Sequence, residues 1–203
     1  MTSKEYIDSG MIEKYVMGMV SDSEKEEVEL MAAANQDIRQ EIDTIGDVLE
    51  QYAQSQAITP SPVVKPFLMA TIDYTERINS GEPVSFPPAL HANSKIEDYA
   101  PWLNRPDLDF SGSAEDNLFA KIIGYTPEMI TAIVWIQQDT PLEIHDKELE
   151  SFLIVEGTCD IHVGDKSTSL VSGDYFAIPL HEYHTLKVTS RIACKAILQR
   201  VAA

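Results

Sequence analysis

Apolar positions follow a helical period early in the chain and a strand grammar late in it. Ile12, Tyr15, Val16 and Met19 fall at i, i+3, i+4 and i+7, one stripe of a first helix. Ser21-Asp-Ser-Glu24 is a capping box: the Ser21 hydroxyl accepts from the helix start while Glu24 reaches back. It opens a second helix through Val28 and Met31 to about Ala34. Asn35 to Asp37 breaks and recaps, and Ile38, Ile42, Ile45, Leu49 and Tyr52 mark a third helix. Three short helices bury little by themselves, so they pack on a fourth or on a partner. A fourth is predicted from Pro66 through Phe67, Leu68, Ile72 and Ile78 to Gly81.

Between residues 82 and 116 the pattern turns irregular, since Pro83, Pro87, Pro88, Pro101 and Pro106 forbid a long element. This stretch reads as a linker with an anchoring segment at Tyr99 to Leu103. From Leu118 onward short β-rich runs are separated by turns: 130–137, 150–155, 159–163, 168–171, 175–178, 185–189 and 192–198. Val163-Gly-Asp-Lys166 is a hairpin signal between two of them. Short strands at such spacing predict a sandwich or double-sheet barrel. The fold class is therefore α+β in two domains: helices over 1–81, a Pro-rich linker over 82–116, and an all-β domain over 117–203.

Composition adds one fact, the charge. Fifteen Lys and Arg against thirty-three Asp and Glu leave −18. Residues 1–55 alone hold thirteen acids and four bases. Such a surface repels a phosphate backbone and an anionic membrane, so direct nucleic-acid and membrane binding are not expected. The start, Met1-Thr-Ser-Lys-Glu-Tyr, shows no signal-peptide pattern. The two cysteines, Cys159 and Cys194, are too few for a disulfide scaffold and are expected as small buried apolar residues. A cytoplasmic protein is the expectation.

The chemistry lies in the β half. Glu143 and His145 are two apart, so on a strand both side chains leave the same face. Glu150 follows, then Gly157, and a second segment runs from Gly173 through Pro179, His181 and His184. These segments resemble the two motifs of the cupin family. His145, Glu150, Gly157, Gly173, Pro179 and His184 match; Glu143 stands where the first His usually is, His181 where a Gly is, and Val188 where an Asn is. The resemblance implies a double-stranded β-helix barrel holding a metal through Glu143, His145, Glu150 and His184. Glu148 rivals Glu150, whose spacing to Gly157 favours it. Two imidazoles and two carboxylates suit one divalent transition metal, zinc first, with manganese, iron or nickel as alternatives. His181 is read as a further polar group at the barrel mouth or as a solvated loop residue, and His162 as facing solvent.

The segment from Met11 to Ile45 resembles the helical domain of bacterial anti-sigma factors: an apolar helix ending near Gly18, a Ser/Asp cap, an acidic helix, a break and an amphipathic helix. Followed by a cupin, it matches the order of ChrR-like anti-sigma factors. The helical zinc motif of relatives, His-x-x-x-Cys-x-x-Cys, is absent, since the first His is His91 and the first Cys is Cys159. The resemblance implies a zinc-free clamp on an extracytoplasmic-function (ECF, group IV) sigma factor, with the cupin as sensor in a stress response. Basic DNA-binding surfaces of a sigma factor would be steered toward acidic helices. Met11, Ile12, Tyr15, Val16 and Met19 are the candidate partner-binding residues, with packing of the bundle's own core as the alternative. A second class of function stays open: a metal-dependent cupin enzyme, dioxygenase or isomerase, whose helices form a homodimer.

Overall fold

The structure, a computed structural model, describes residues 2–113 and 116–203. It divides into two compact units, Met1–Thr59 and Pro60–Ala203.

The first unit is helical: α1 (Ser3–Ile7), α2 (Met11–Val16), α3 (Asp22–Ala34) and α4 (Gln36–Ser55). The predicted capping box forms, with Ser21 N–H donating to Glu24 at 2.8 Å and Glu24 N–H donating to the Ser21 hydroxyl at 3.4 Å. The short α1, capped by Thr2, has no counterpart in the periodicity, because five residues are too few to show one. Gly10 and Gly18, both at positive φ, flank α2 and end it before Met19. Tyr6, Ile12, Val28 and Ile38 close a small core, and Met11, Tyr15 and Val16 pack against it.

The second unit is a β barrel of two sheets. Its strands are β1 (Leu118–Tyr125), β2 (Met129–Ile136), β3 (Glu148–Glu156), β4 (Thr158–Val163), β5 (Lys166–Val171), β6 (Tyr175–Ile178), β7 (His184–Val188) and β8 (Cys194–Ala202). Five pair in the order β1-β2-β8-β3-β6 and three in the order β5-β4-β7. The hairpin signal at 163–166 is the β4–β5 turn, with Val163 opposite Lys166. Val134, Phe152, Ile154 and Leu198 of the larger sheet meet Ile161, Leu170 and Leu186 of the smaller one. Cys159 and Cys194, both fully buried as free thiols, belong to that layer. β1 extends the sheet beyond the runs legible in sequence.

Helix α5 (Val64–Asn79) departs from expectation. The pattern groups it with the first three helices in a domain of residues 1–81, yet it lies on β1 within the second unit. Ala70 enters the barrel core, Asp73 takes Lys121 Nζ at 2.7 Å, and Arg77 Nη2 donates to the Ile122 carbonyl at 2.5 Å. The face it turns to the barrel carries Phe67, Ala70 and Tyr74, whereas Leu68 and Ile72 of the predicted stripe are exposed.

Nor is 82–108 a free linker. It runs as a strap over the outer face of the larger sheet, with 3₁₀ turns at Ile96–Tyr99 and Pro106–Leu108 around a short α6 (Ala100–Leu103). Leu90, Tyr99 and Leu108 bury Ile133, Trp135, Leu153 and Ile197. The prolines exclude a regular element but not apolar anchoring, and a sheet apolar on both faces needs a cover. Gln199 ties the strap down, accepting from Leu90 N–H at 2.8 Å and donating to Pro88 O at 3.1 Å and to Thr131 Oγ1 at 2.9 Å. At the β1 bulge a Cβ on Gly124 would sit 2.3 Å from Pro87, so only glycine admits the strap there. Residues 114 and 115 of the expected linker lie outside those described.

Candidate metal centre

The loop between β2 and β3 is held to the start of β7 by paired backbone bonds. Glu143 N–H donates to His184 O at 3.0 Å, and His184 N–H to Glu143 O at 2.9 Å. His181 N–H donates to His145 O at 3.0 Å, fixing the same loop two residues on. Inward alternation along β3 sends Glu150, Phe152 and Ile154 into the barrel. Glu150 is 2% exposed and His184 5% exposed.

These elements bring Glu143, His145, Glu150 and His184 together, one ligand atom from each lying within 4.8 Å of the others. Glu150 Oε2 lies 3.2 Å from His184 Nε2 and 3.4 Å from His145 Nε2. His145 Nε2 is buried and makes no hydrogen bond, while Glu143 Oε2 lies 4.0 Å away. His184 Nδ1 faces the Glu182 carbonyl at 3.3 Å, which favours a proton on Nδ1 and directs Nε2 at the cluster. Glu148, at the exposed rim of β3, is not part of the group.

Burial opposes ionisation of Glu150, but the two imidazoles and the Arg200 guanidinium outweigh it and hold the carboxyl well below the usual range. Burial, and then the charge of Glu150, push Glu143 upward. His184 is raised: burial resists its charging, and the Glu150 carboxylate overcomes that. A buried imidazole nitrogen that makes no hydrogen bond, beside two carboxylates and a second imidazole, is a donor set that fits a divalent transition metal.

Arg200 of β8 is the participant that sequence reasoning missed. It sits directly opposite Glu150 across the β3–β8 ladder and donates from Nε to Glu150 Oε1 at 2.8 Å. Its guanidinium stacks over the Phe67 ring of α5, 4.6 Å from the centroid. A signal for it existed: Ala196, Leu198 and Arg200 share the inward alternation of β8, an arginine at the end of an apolar row. Val63 and Phe67 also line the barrel interior beside Glu143, Glu150 and His184, where the cavity measures only about 30 Å³.

The remaining candidates separate. His181, with φ 62°, adopts the left-handed backbone that favours the glycine it replaces; its side chain is exposed and faces Asp146 at 3.2 Å. His162 is half-buried on β4 rather than fully solvated. In the helical unit Ile12 is fully buried and therefore belongs to the unit's own core. Met11, Tyr15 and Val16 are half-buried, and Met19 is 69% exposed.

Residues 132–198 match the family model of the cupin domain. No curated protein matches the chain. Among solved structures it is similar to the cupin domain of Schizosaccharomyces pombe Cnp3, at 16% identity over 46% of this chain and 70% of that one, with a TM-score of 0.42. KdgF from Halomonas sp. is 18% identical over 48% and 92%, with a TM-score of 0.42. TT1209 from Thermus thermophilus is 13% identical over 47% and 91%, with a TM-score of 0.43.

Proposed function

We propose that this chain, whose β unit carries a cupin domain, is an anti-sigma factor: the helices hold an ECF sigma factor away from RNA polymerase, and a metal-loaded cupin senses the releasing signal. The observation that carries the metal half is the buried Nε2 of His145, which makes no hydrogen bond, within a four-residue donor set. Glu143, His145, Glu150 and His184 would hold the ion, zinc foremost. When bound, it supplies a Lewis-acidic centre. The residues themselves tie the β2–β3 loop to β3 and β7 and exclude bulk water from the cluster.

The partner half is supported by charge and by exposed apolar surface in the helical unit. Tyr15, Val16, Val20 and Ile42 line a groove edged by Asp43 and Asp47. Val48, Leu49 and Tyr52 lie exposed along α4. Basic surface on a sigma factor would be steered to such acids, with the half-buried side chains supplying the contact. A cytoplasmic site of action and no direct contact with nucleic acid or membrane follow from this reading. The rival reading, a cupin dioxygenase or isomerase with dimerising helices, needs more substrate space than the cavity of about 30 Å³ beside the cluster offers.

Mixing the protein with the sigma factor encoded beside it tests the proposal. A co-eluting complex is expected, with an on-rate that falls as salt rises, because screening sets in over about 8–10 Å at physiological ionic strength. Tyr15→Glu or Val16→Glu should weaken it while the helices stay folded by circular dichroism. No complex, together with turnover by the metal-loaded chain, would favour the enzyme.

A further inference from the structure

The two carboxylates of the centre are held in opposite ways. Glu150 Oε1 is taken by Arg200 Nε at 2.8 Å, and Oε2 alone faces His184 and His145, at 3.2 and 3.4 Å. Glu143 has only a distant approach from Arg200 Nη2, at 3.7 Å, and no hydrogen bond to it. Arg200 is in turn fixed from two sides. The strand register places its Cα opposite Glu150, and the Phe67 ring lies under its guanidinium. A flat, delocalised cation can donate in its plane and stack on an aromatic face at once, which an ammonium cannot.

From this geometry we infer that Arg200 is a positioning residue for the metal: by occupying Oε1 it limits Glu150 to one ligating oxygen, and Phe67 holds Arg200 in that pose. The inference rests on the metal reading above and adds to it the number of oxygens that Glu150 gives the ion. A chelating carboxylate offers both oxygens to an ion. Here one of them is committed to a charge-assisted bond before any ion arrives. Glu150 thereby gives the ion one oxygen rather than two, and the seat of α5 on the barrel is felt at the ion through the ring of Phe67. A plain charge-balancing role for Arg200, offsetting two buried carboxylates, would alter affinity and stability but leave the coordination number untouched.

Cobalt(II) titrated into the full-length chain separates these cases, since its visible absorption is intense at low coordination number and weak at high. The wild-type protein is expected to take up one equivalent with an intense band. In Arg200→Met, Glu150 gains its second oxygen, so the band weakens and moves to shorter wavelength. Phe67→Leu removes the platform, leaves every ligand and Arg200 in place, and should shift the spectrum the same way to a smaller extent. It decides the matter alone if Arg200→Met does not fold. A wild-type chain that binds no cobalt overturns the metal reading, and this inference with it. A wild-type chain that loads, with a folded Arg200→Met of unchanged spectrum, overturns this inference alone; so does an unchanged Phe67→Leu where Arg200→Met is unfolded.

Discussion

Glu148 and Glu150 stand two residues apart on β3, and their surroundings make them opposites. Glu150 is buried against Arg200 and two imidazoles, whereas Glu148 is exposed. Removing one partner of a buried ion pair leaves the other uncompensated, so Glu150→Ala should cost the metal-free β unit about 3 kcal/mol. Glu148→Ala should stay within about 0.5 kcal/mol. Urea midpoints of the two variants check the contrast. Gly157, at φ +76°, has no room either: a Cβ there would lie 2.8 Å from both the Ala193 carbonyl and Ser190 Oγ. Gly157→Ala is therefore expected to lose about 2 kcal/mol, read by thermal melting. The four candidate ligands were legible from motif spacing, although Glu143 and His145 lie on the β2–β3 loop rather than on a strand, with Glu150 on β3 and His184 on β7. The inward aim of Arg200 could have been read from the row Ala196, Leu198, Arg200, but its pairing with Glu150 could not, since no local pattern encodes the β3–β8 register.

Among the elements, the strap and α5 show what periodicity conveys and what it omits. The prolines announced irregular chain and Tyr99 to Leu103 announced an anchor, but not that the sheet's outer face was what they covered. Likewise the pattern on α5 announced a helix but neither its neighbour nor its inward face: Leu68 and Ile72 are exposed, and the barrel is met by Phe67, the small Ala70 and the amphipathic Tyr74. Caps were easier, being local chemistry. Where strap meets helix, Glu82 accepts from Arg105 at 2.8 and 3.0 Å and from Arg77 at 2.8 Å. The Arg105 hydrogen bonds are the main reason its carboxyl lies below the ordinary 4.5; burial opposes them and Arg77 assists. A depressed carboxylate stabilises fully above its unfolded value and loses that contribution as pH falls through the folded one. Glu82→Gln should thus be less stable than wild type at neutral pH. The gap between their urea midpoints should narrow as pH drops below 4.5.

At the scale of the molecule, the boundary at Thr59–Pro60 has a practical meaning. A fragment of residues 60–203 keeps α5, the strap and both sheets, and should fold and hold metal by itself. A fragment of residues 117–203, cut where the composition changes, bares Ile133, Trp135, Leu153 and Ile197 and should aggregate. Gel filtration of the two distinguishes them. The order β1-β2-β8-β3-β6 carries a consequence in time as well as in space. The strand at the middle of the larger sheet is the one a ribosome delivers after all the other described strands. Until it emerges, β2 and β3 have no common neighbour, the strap has no Gln199 to grip, and two apolar surfaces wait uncovered in the cell. Nascent chains stalled with residue 190 just outside the exit tunnel should be protease-sensitive throughout the β region and bound by chaperones. Release of some ten further residues should convert them to the resistant form.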